Sequence, residues 1–302
     1  MKYKFYTTSE KAWDSMLQAI TGAKTSIYCE MYIFVDNTVG HDFFTMLAQK
    51  AQEGVRVRVI IDAYGSTELT PSTIQRIRDA GVELFLFSYW LHHTHKKILV
   101  IDEEVAFVGG VNIHKLFKKW NDLQIRMKGP IVKSIIRSFA RTYQVCGGTD
   151  AHILLWNNKK TRLNQTRLWI IEHWQLESRR LVKKYYQETI RNAQKTITIV
   201  TPYFAPQRWL VGSLHQAILR GVAVHILIPE YTDLWHMNRV NYFYMHRLHA
   251  LGAVIHLSPI MNHAKAMLID NTEGMVGSQN IDSLSFQYNV EAGVFFREEK
   301  MV

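Results

Sequence analysis

Two stretches of this chain present the same polar residues at the same intervals. The first, HKKILVIDEEVAFVGGVN, spans 95–112 and offers His95, Lys97, Asp102 and Asn112. The second, HAKAMLIDNTEGMVGSQN, spans 263–280 and offers His263, Lys265, Asp270 and Asn280. Each residue of the first set lies 168 positions before its counterpart in the second. In both, an apolar run separates the Lys from the Asp, and a small pair (Gly109-Gly110, Gly277-Ser278) precedes the Asn by two residues. A single His-x-Lys would be weak evidence of a site, but its recurrence with the same surroundings is strong.

One copy holds no complete set of nucleophile, base and acid. Two copies together supply two imidazoles and two ammonium groups, a cluster suited to a phosphate diester. The lysines and asparagines can hold anionic oxygens as charge builds in the transition state. One imidazole can attack phosphorus. The other can protonate the leaving alkoxide and then activate the incoming hydroxyl. The lysines carry the charge neutralisation, so no metal and no cofactor is expected. His93 and His95, two apart, superficially suggest a metal site, but Lys96 and Lys97 repel a cation and no nearby Cys or carboxylate completes a ligand set. A nucleophilic imidazole needs its second nitrogen held. Asp122 follows His95 by 27 residues and Glu291 follows His263 by 28, so these carboxylates are expected to orient the two rings.

The elements that position these groups follow from periodicity. In a strand, His-x-Lys puts both side chains on one face, and the apolar runs 98–101 and 266–269 read as its buried continuation. Before the first copy, Lys2–Tyr6 alternates as a short strand. Thr8 or Ser9 can cap a helix carrying Trp13, Met16, Leu17 and Ile20. Strands are expected over Thr25–Phe34, Val55–Asp62 and Val82–Phe87, with helices over Gly40–Gln52, Pro71–Ala80 and Ile131–Tyr143. Glu30 and Tyr32 are expected to share a strand face, either lining the site or at an edge. Leu168–Gln187 reads as one long helix whose basic and aromatic residues lie on an anionic membrane or pack on a sheet. Tyr231–His249, rich in aromatics, is core or lid.

The duplication extends beyond the motifs. KTSIYCEMYIF at Lys24 matches KTITIVTPYFA at Lys195, so Tyr32 aligns with Tyr203, and GVRVRVII at Gly54 matches GVAVHILI at Gly221. The expected fold is therefore α/β: two similar halves, 1–150 and 151–302, each a mostly parallel sheet flanked by helices. A pseudo-twofold axis would relate them, with the site between. The boundary is placed in the pattern-poor stretch from Gly147-Gly148 through Asn164.

The two HxK(x)4D motifs, each followed by G-[G/S]-x-N, resemble the phospholipase D superfamily. GGVN with a later WND (120–122), TPYFAP (201–206) and GSQNIDSLSFQYNVE (277–291) are more closely similar to bacterial cardiolipin synthases, over nearly the whole chain. The resemblance implies a phosphatidyltransferase working through a phosphohistidine, with His95 as nucleophile, His263 as general acid, and Asp102 and Asp270 in structural roles. Phosphatidylglycerol is the implied donor. Hydrolysis to phosphatidic acid and nuclease action use the same steps; an inert binding scaffold would not need both His and both Lys. Three departures from the family pattern stand out. Gly110 replaces the small hydroxyl residue found as Ser278, so a hydroxyl contact to phosphate is expected from one half only. N-terminal membrane helices and a further C-terminal helix are missing, so the sequence is expected to be a trimmed version or a fragment.

Composition bounds the rest. The chain has 302 residues, a hydrophobic fraction of 47%, and a net charge of +10, which favours anionic partners, nucleic acid and acidic lipid headgroups alike; the resemblance makes lipid the first of the two. Two cysteines cannot build a disulfide framework, which fits a reducing compartment. No apolar run is long enough to span a bilayer and the N-terminus has no signal-peptide core. The expected location is cytoplasmic, peripheral to the cell membrane. Lys115, Lys118, Lys119 and Trp120 form either a solvated loop or a rim for anionic headgroups.

Overall fold

The computed structural model describes residues 2–36, 38, 40–89, 92–157, 168–173 and 176–297. The first half runs β1 (Lys2–Thr8), α1 (Ser9–Thr21), β2 (Ser26–Met31), α2 (Phe43–Gln52), β3 (Arg56–Asp62), α3 (Pro71–Asp79), β4 (Glu83–Phe87), β5 (Lys97–Ile101), β6 (Val105–Gly109), β7 (Asn121–Lys128), α4 (Ile131–Val145) and the short α5 (Ala151–Leu154). The second runs β8 (Leu168–His173), α6 (Leu176–Asn192), β9 (Thr196–Val200), α7 (Arg208–Leu219), β10 (Ala223–Pro229), α8 (Trp235–Ala250), β11 (Val254–Ser258), β12 (Ala266–Ile269), β13 (Glu273–Gly277), α9 (Ser283–Gln287) and β14 (Glu291–Phe296).

Each half builds a seven-stranded sheet. The first has the order β1-β7-β6-β5-β2-β3-β4 and the second β8-β14-β13-β12-β9-β10-β11, the same order element for element. The sheets are mixed rather than mostly parallel: β2-β3-β4 and β9-β10-β11 are parallel, and the remaining pairings are antiparallel. The antiparallel part begins at the motifs themselves, because each motif is a hairpin rather than a strand with a helical crossover. Asp102 and Glu103 adopt φ of 53° and 55°, and Asp270 and Asn271 adopt 52° and 53°. Two consecutive left-handed residues make a turn whose twist suits a tight hairpin. Asp102 offsets this strain by accepting the backbone N–H groups of Lys24, Thr25 and Ser26. Asp270 does the same for Gln194, Lys195 and Thr196. These bonds hold both carboxyls below their usual range despite burial. The motif aspartates thus clamp each hairpin to the start of the adjacent strand.

A second correction concerns Leu168–Gln187. It is a strand followed by a helix, because Leu168–His173 completes the second sheet by pairing antiparallel with Glu291–Phe296, as β1 pairs with β7 in the first. Trp169 stacks on Phe295 at 6.0 Å, so this part of the aromatic run is core.

The layers stack helix, sheet, sheet, helix. Trp13, Met16, Ile20, Phe44 and Leu47 pack on the outer face of the first sheet, against Val59 and Leu99. Its inner face (Ile98, Val108, Ile125) meets Val276, Val294 and Phe296 of the second sheet, with Ile135 and Phe139 of α4 in the same layer. Tyr186, Leu210 and Leu214 cover the far face of the second sheet. Apart from the buried ion pair of Lys96 with Glu30, the inner faces are apolar, so the halves are joined by a core and not by a surface contact.

Candidate active site

The two halves exchange backbone where the motifs begin. Thr94 bridges Val290, with His95 N–H donating to Val290 O at 2.9 Å and Val290 N–H to His93 O at 2.8 Å. Asn121 bridges Asn262, with His263 N–H donating to Asn121 O at 2.7 Å and Asn121 N–H to Met261 O at 3.0 Å. The next residue after each bridge is a carboxylate, and this decides which ring it serves. Asp122, from the first half, accepts from Nδ1 of His263 in the second at 2.8 Å. Glu291, from the second half, accepts from Nδ1 of His95 in the first at 3.0 Å. Neither half contains both an imidazole and the carboxylate that holds it.

The partners assign the tautomers. Nδ1 of His95 faces the Glu291 carboxylate and the Ser278 carbonyl, both acceptors, each at 3.0 Å. Nδ1 therefore carries the proton, which leaves Nε2 with its lone pair. Asp122 imposes the same tautomer on His263. Both rings are buried, and burial together with the neighbouring lysines lowers their basicity. His263 falls to about 3. Glu291 is held below its usual range, chiefly by His95 and Lys97 acting against its burial. Lys97 and Lys265 are also buried and each donates to the carbonyl of its own motif histidine, the Lys97 bond being 2.7 Å. A lysine has three donors, so each ammonium retains capacity for a ligand oxygen. Burial lowers both, Lys265 to about 8. Each lysine depresses the imidazole of the other half as well as its own, so all four cationic or basic groups share one electrostatic site.

The asparagines sit just beyond, both buried. The Asn112 side chain accepts from Ile33 N–H at 3.3 Å. The side-chain oxygen of Asn280 takes no hydrogen bond among the described residues, which leaves an acceptor open to a hydroxyl or other donor. Ser278 departs from expectation. Its hydroxyl donates to Glu291 and accepts Ala292 N–H at 3.1 Å, so it supports the carboxylate instead of presenting itself to phosphate. Gly110 explains the asymmetry. A Cβ there would stand 2.2 Å from Oδ1 of Asp122, while the longer Glu291 leaves room for a serine at the matching place. Asp102 and Asp270 lie at the far ends of their hairpins and make no bond to the imidazoles.

Glu30 and Tyr32 part company. Tyr32 follows the end of β2 and its ring meets His95 edge-on at 4.6 Å, with the Lys97 ammonium 5.0 Å from the ring centre. Glu30 faces the opposite side of the sheet, fully buried, and pairs with Lys96 at 3.1 Å. It lines no site because strand alternation sends Lys96 away from His95 and Lys97. Lys96 also donates to Thr142 at 2.8 Å and approaches Glu172 of β8 at 3.7 Å, and Thr94 donates to Glu30. This network pins the residue before His95. Lys96→Ala would leave Glu30 buried without its counter-charge, and the expected cost is about 3–5 kcal/mol in urea unfolding. Lys96→Met with Glu30→Gln should recover most of that loss.

His93 turns to Asp62 at 3.5 Å and stacks near Tyr64 at 4.8 Å. Two residues noted in the sequence, Tyr203 and Trp120, prove to be neighbours of His263. Tyr203 approaches its ring at 6.3 Å and donates to Asp233 at 2.6 Å. Its alignment with Tyr32 was the signal that could have placed it. Trp120 lies 5.4 Å from His263.

A doubled mixed sheet, with paired His-x-Lys hairpins meeting at a pseudo-twofold, defines a phospholipase D-type protein. The solved phosphatidylserine synthase of Haemophilus influenzae Rd KW20 shares this fold with a TM-score of 0.78 at 15% identity, over 98% of this chain and 82% of that one. The family described as cardiolipin synthase, PLD-like domain matches residues 16–142 and 186–302, and the chain belongs to it. Curated relatives include a probable cardiolipin synthase of Bacillus subtilis, 28% identical over 99% of this chain, and a cardiolipin synthase of Alkalihalophilus pseudofirmus, 31% identical over 97%. The chain spans 63% and 62% of the length of these two relatives.

Proposed function

We propose that the chain is a phosphatidyltransferase of cardiolipin synthase type, with phosphatidylglycerol as donor and a second phospholipid hydroxyl as acceptor. The observation that carries this reading is the pair of neutral imidazoles, each aimed by the other half's carboxylate and flanked by two buried lysines. His95 Nε2 attacks the phosphorus of the donor, forming a P–N bond as the P–O bond to glycerol breaks. His263 gives its proton to the departing glycerol oxygen. The diester adds a negative charge beside both lysines and so favours the protonated form of His263, against the burial that opposes it. The acceptor hydroxyl then loses its proton to His263 and attacks phosphorus, the P–N bond breaks, and His95 is restored. Lys97, Lys265 and the two asparagine amides hold the phosphoryl oxygens.

The test supplies phosphatidylglycerol vesicles and a single-stranded DNA control, with products followed by mass spectrometry. Cardiolipin and glycerol from the parent protein, and neither from His95→Ala, are expected. Phosphatidic acid alone would replace transfer by hydrolysis, and cleaved DNA with intact lipid would overturn the lipid reading.

Lysine burial makes the pH dependence distinctive. Activity requires the Lys265 ammonium, so kcat/KM is expected to fall as pH rises through about 8. Unfolded lysine titrates near 10.4, so between these values the unfolded chain binds more protons and stability rises with pH. Over pH 8 to about 9.5, activity should fall while resistance to urea rises. A parallel loss of both would contradict the assignment.

A further inference from the structure

We propose that the rim of the cleft on its His263 side is a docking surface for an anionic lipid bilayer, so that the site opens directly onto the membrane. This inference rests on the lipid reading of the site. Three separate segments converge at His263, and each ends in an exposed apolar side chain. The segment after β6 carries Leu116, 67% exposed, and continues to Trp120 beside the ring. The segment before the second motif carries Ile260, 54% exposed, immediately before the bridge to Asn121. The segment after β10 carries Tyr231 and Trp235, 66% and 71% exposed, and is tied to the ring through Asp233 and Tyr203. Across the cleft, Tyr64 and Tyr89 stand exposed around His93 and His92.

The helix behind this rim, α8, packs through Asn241, Tyr244, Met245 and Leu248, while its aromatics Trp235 and Phe243 face outward. The charge around the apolar tips chooses the occupant. Lys115 and Lys119 are exposed beside Leu116, and the Arg239 guanidinium lies 5.6 Å from the Trp235 ring. Aromatic and aliphatic tips ringed by basic groups fit the headgroup boundary of an anionic bilayer, where indole rings and long basic chains each find a wet and an apolar end. The chain's net charge of +10 adds long-range attraction of the same sign. Of the stretch 168–187, the strand is built into the second sheet, while residues 174 and 175 lie outside the described residues.

The test compares the parent protein with Leu116→Asp/Trp235→Asp, and with Val145→Asp/Leu219→Asp, which places the same charges on exposed apolar residues away from the cleft. Two readings are taken: sedimentation with vesicles of mixed phosphatidylglycerol and phosphatidylcholine, and turnover of a short-chain, monomeric phosphatidylglycerol. The rim variant should lose vesicle binding by about tenfold or more, retain its circular dichroism, and turn over the monomeric lipid like the parent. The control variant should bind like the parent. Equal losses in both variants, parent-like binding by the rim variant, or a parent that does not bind would each overturn the proposal. Loss of monomer turnover in a folded rim variant would also overturn it, by assigning the rim to the site. Sedimentation does not depend on catalysis. A parent that binds vesicles through the rim yet turns over no lipid would therefore uphold the docking surface and sink the transferase reading.

Discussion

His95→Ala is expected to lower kcat/KM by on the order of 10⁴-fold or more, whatever the donor's leaving group, because no phosphoenzyme can form. His263→Ala is expected to cost about 10²- to 10⁴-fold with phosphatidylglycerol, the usual range for a lost general acid. The two should separate when the donor carries a nitrophenolate, which leaves without a proton. His263→Ala should then complete the first step and stall before the second, for want of a base. Phosphatidylated His95 should accumulate and be seen by mass spectrometry of protein quenched in alkali. Accumulation on His263 in the His95→Ala protein would reverse the two roles while keeping the chemistry.

Carboxylate variants should follow the crossed wiring. Asp122 lies in the half that contains His95 but bonds His263, so Asp122→Asn is expected to behave as a partial loss of His263. Native substrate should suffer by about 10²- to 10⁴-fold, and the activated donor should rescue phosphoenzyme formation. Glu291→Gln should weaken His95 and resist that rescue. It should also be the milder change, on the order of 10²-fold. The Ser278 carbonyl still demands a proton on Nδ1 of His95, whereas among the described residues no second acceptor does so for His263. A double-mutant cycle of Asp122→Asn with His263→Ala should show strong non-additivity, and the same cycle with His95→Ala should not. Rescue of Glu291→Gln in place of Asp122→Asn would mean that the carboxylates act within their own halves.

How much of this was open to reading before the fold was known differs by residue. The paired motifs and the matching strand runs are local signals, and they sufficed for two similar α/β halves. The carboxylates were visible from their parallel placement, but not their crossing. No spacing within one copy says which ring Asp122 meets, since that depends on Asn121 pairing with Asn262 far along the chain. Leu168–His173 looked helical because its aromatic spacing joined smoothly to the next element, and only its partner Glu291–Phe296 makes it a strand. Glu30 was noticed as an odd strand residue, yet its answer was Lys96, the one motif-region lysine on the wrong face for the site. Ser278 was legible as a hydroxyl near phosphate and was claimed by Glu291, a contact with no short-range signature.

The exchange of backbone and carboxylates across the pseudo-twofold also has an ancestral meaning. A chain of one half, pairing with a second copy of itself, would generate the same reciprocal wiring from a single sequence, with both ends of the cleft identical. Fusion of two copies keeps that geometry and removes the requirement that they stay alike. The pairs Gly110 with Asp122 and Ser278 with Glu291 are where the ends have diverged, and each pair must change together. A serine in place of Gly110 would meet Oδ1 of Asp122 at its Cβ and is tolerated only if that acid moves. Two fused halves whose ends already differ at these pairs are free to diverge further, as two identical copies would not be.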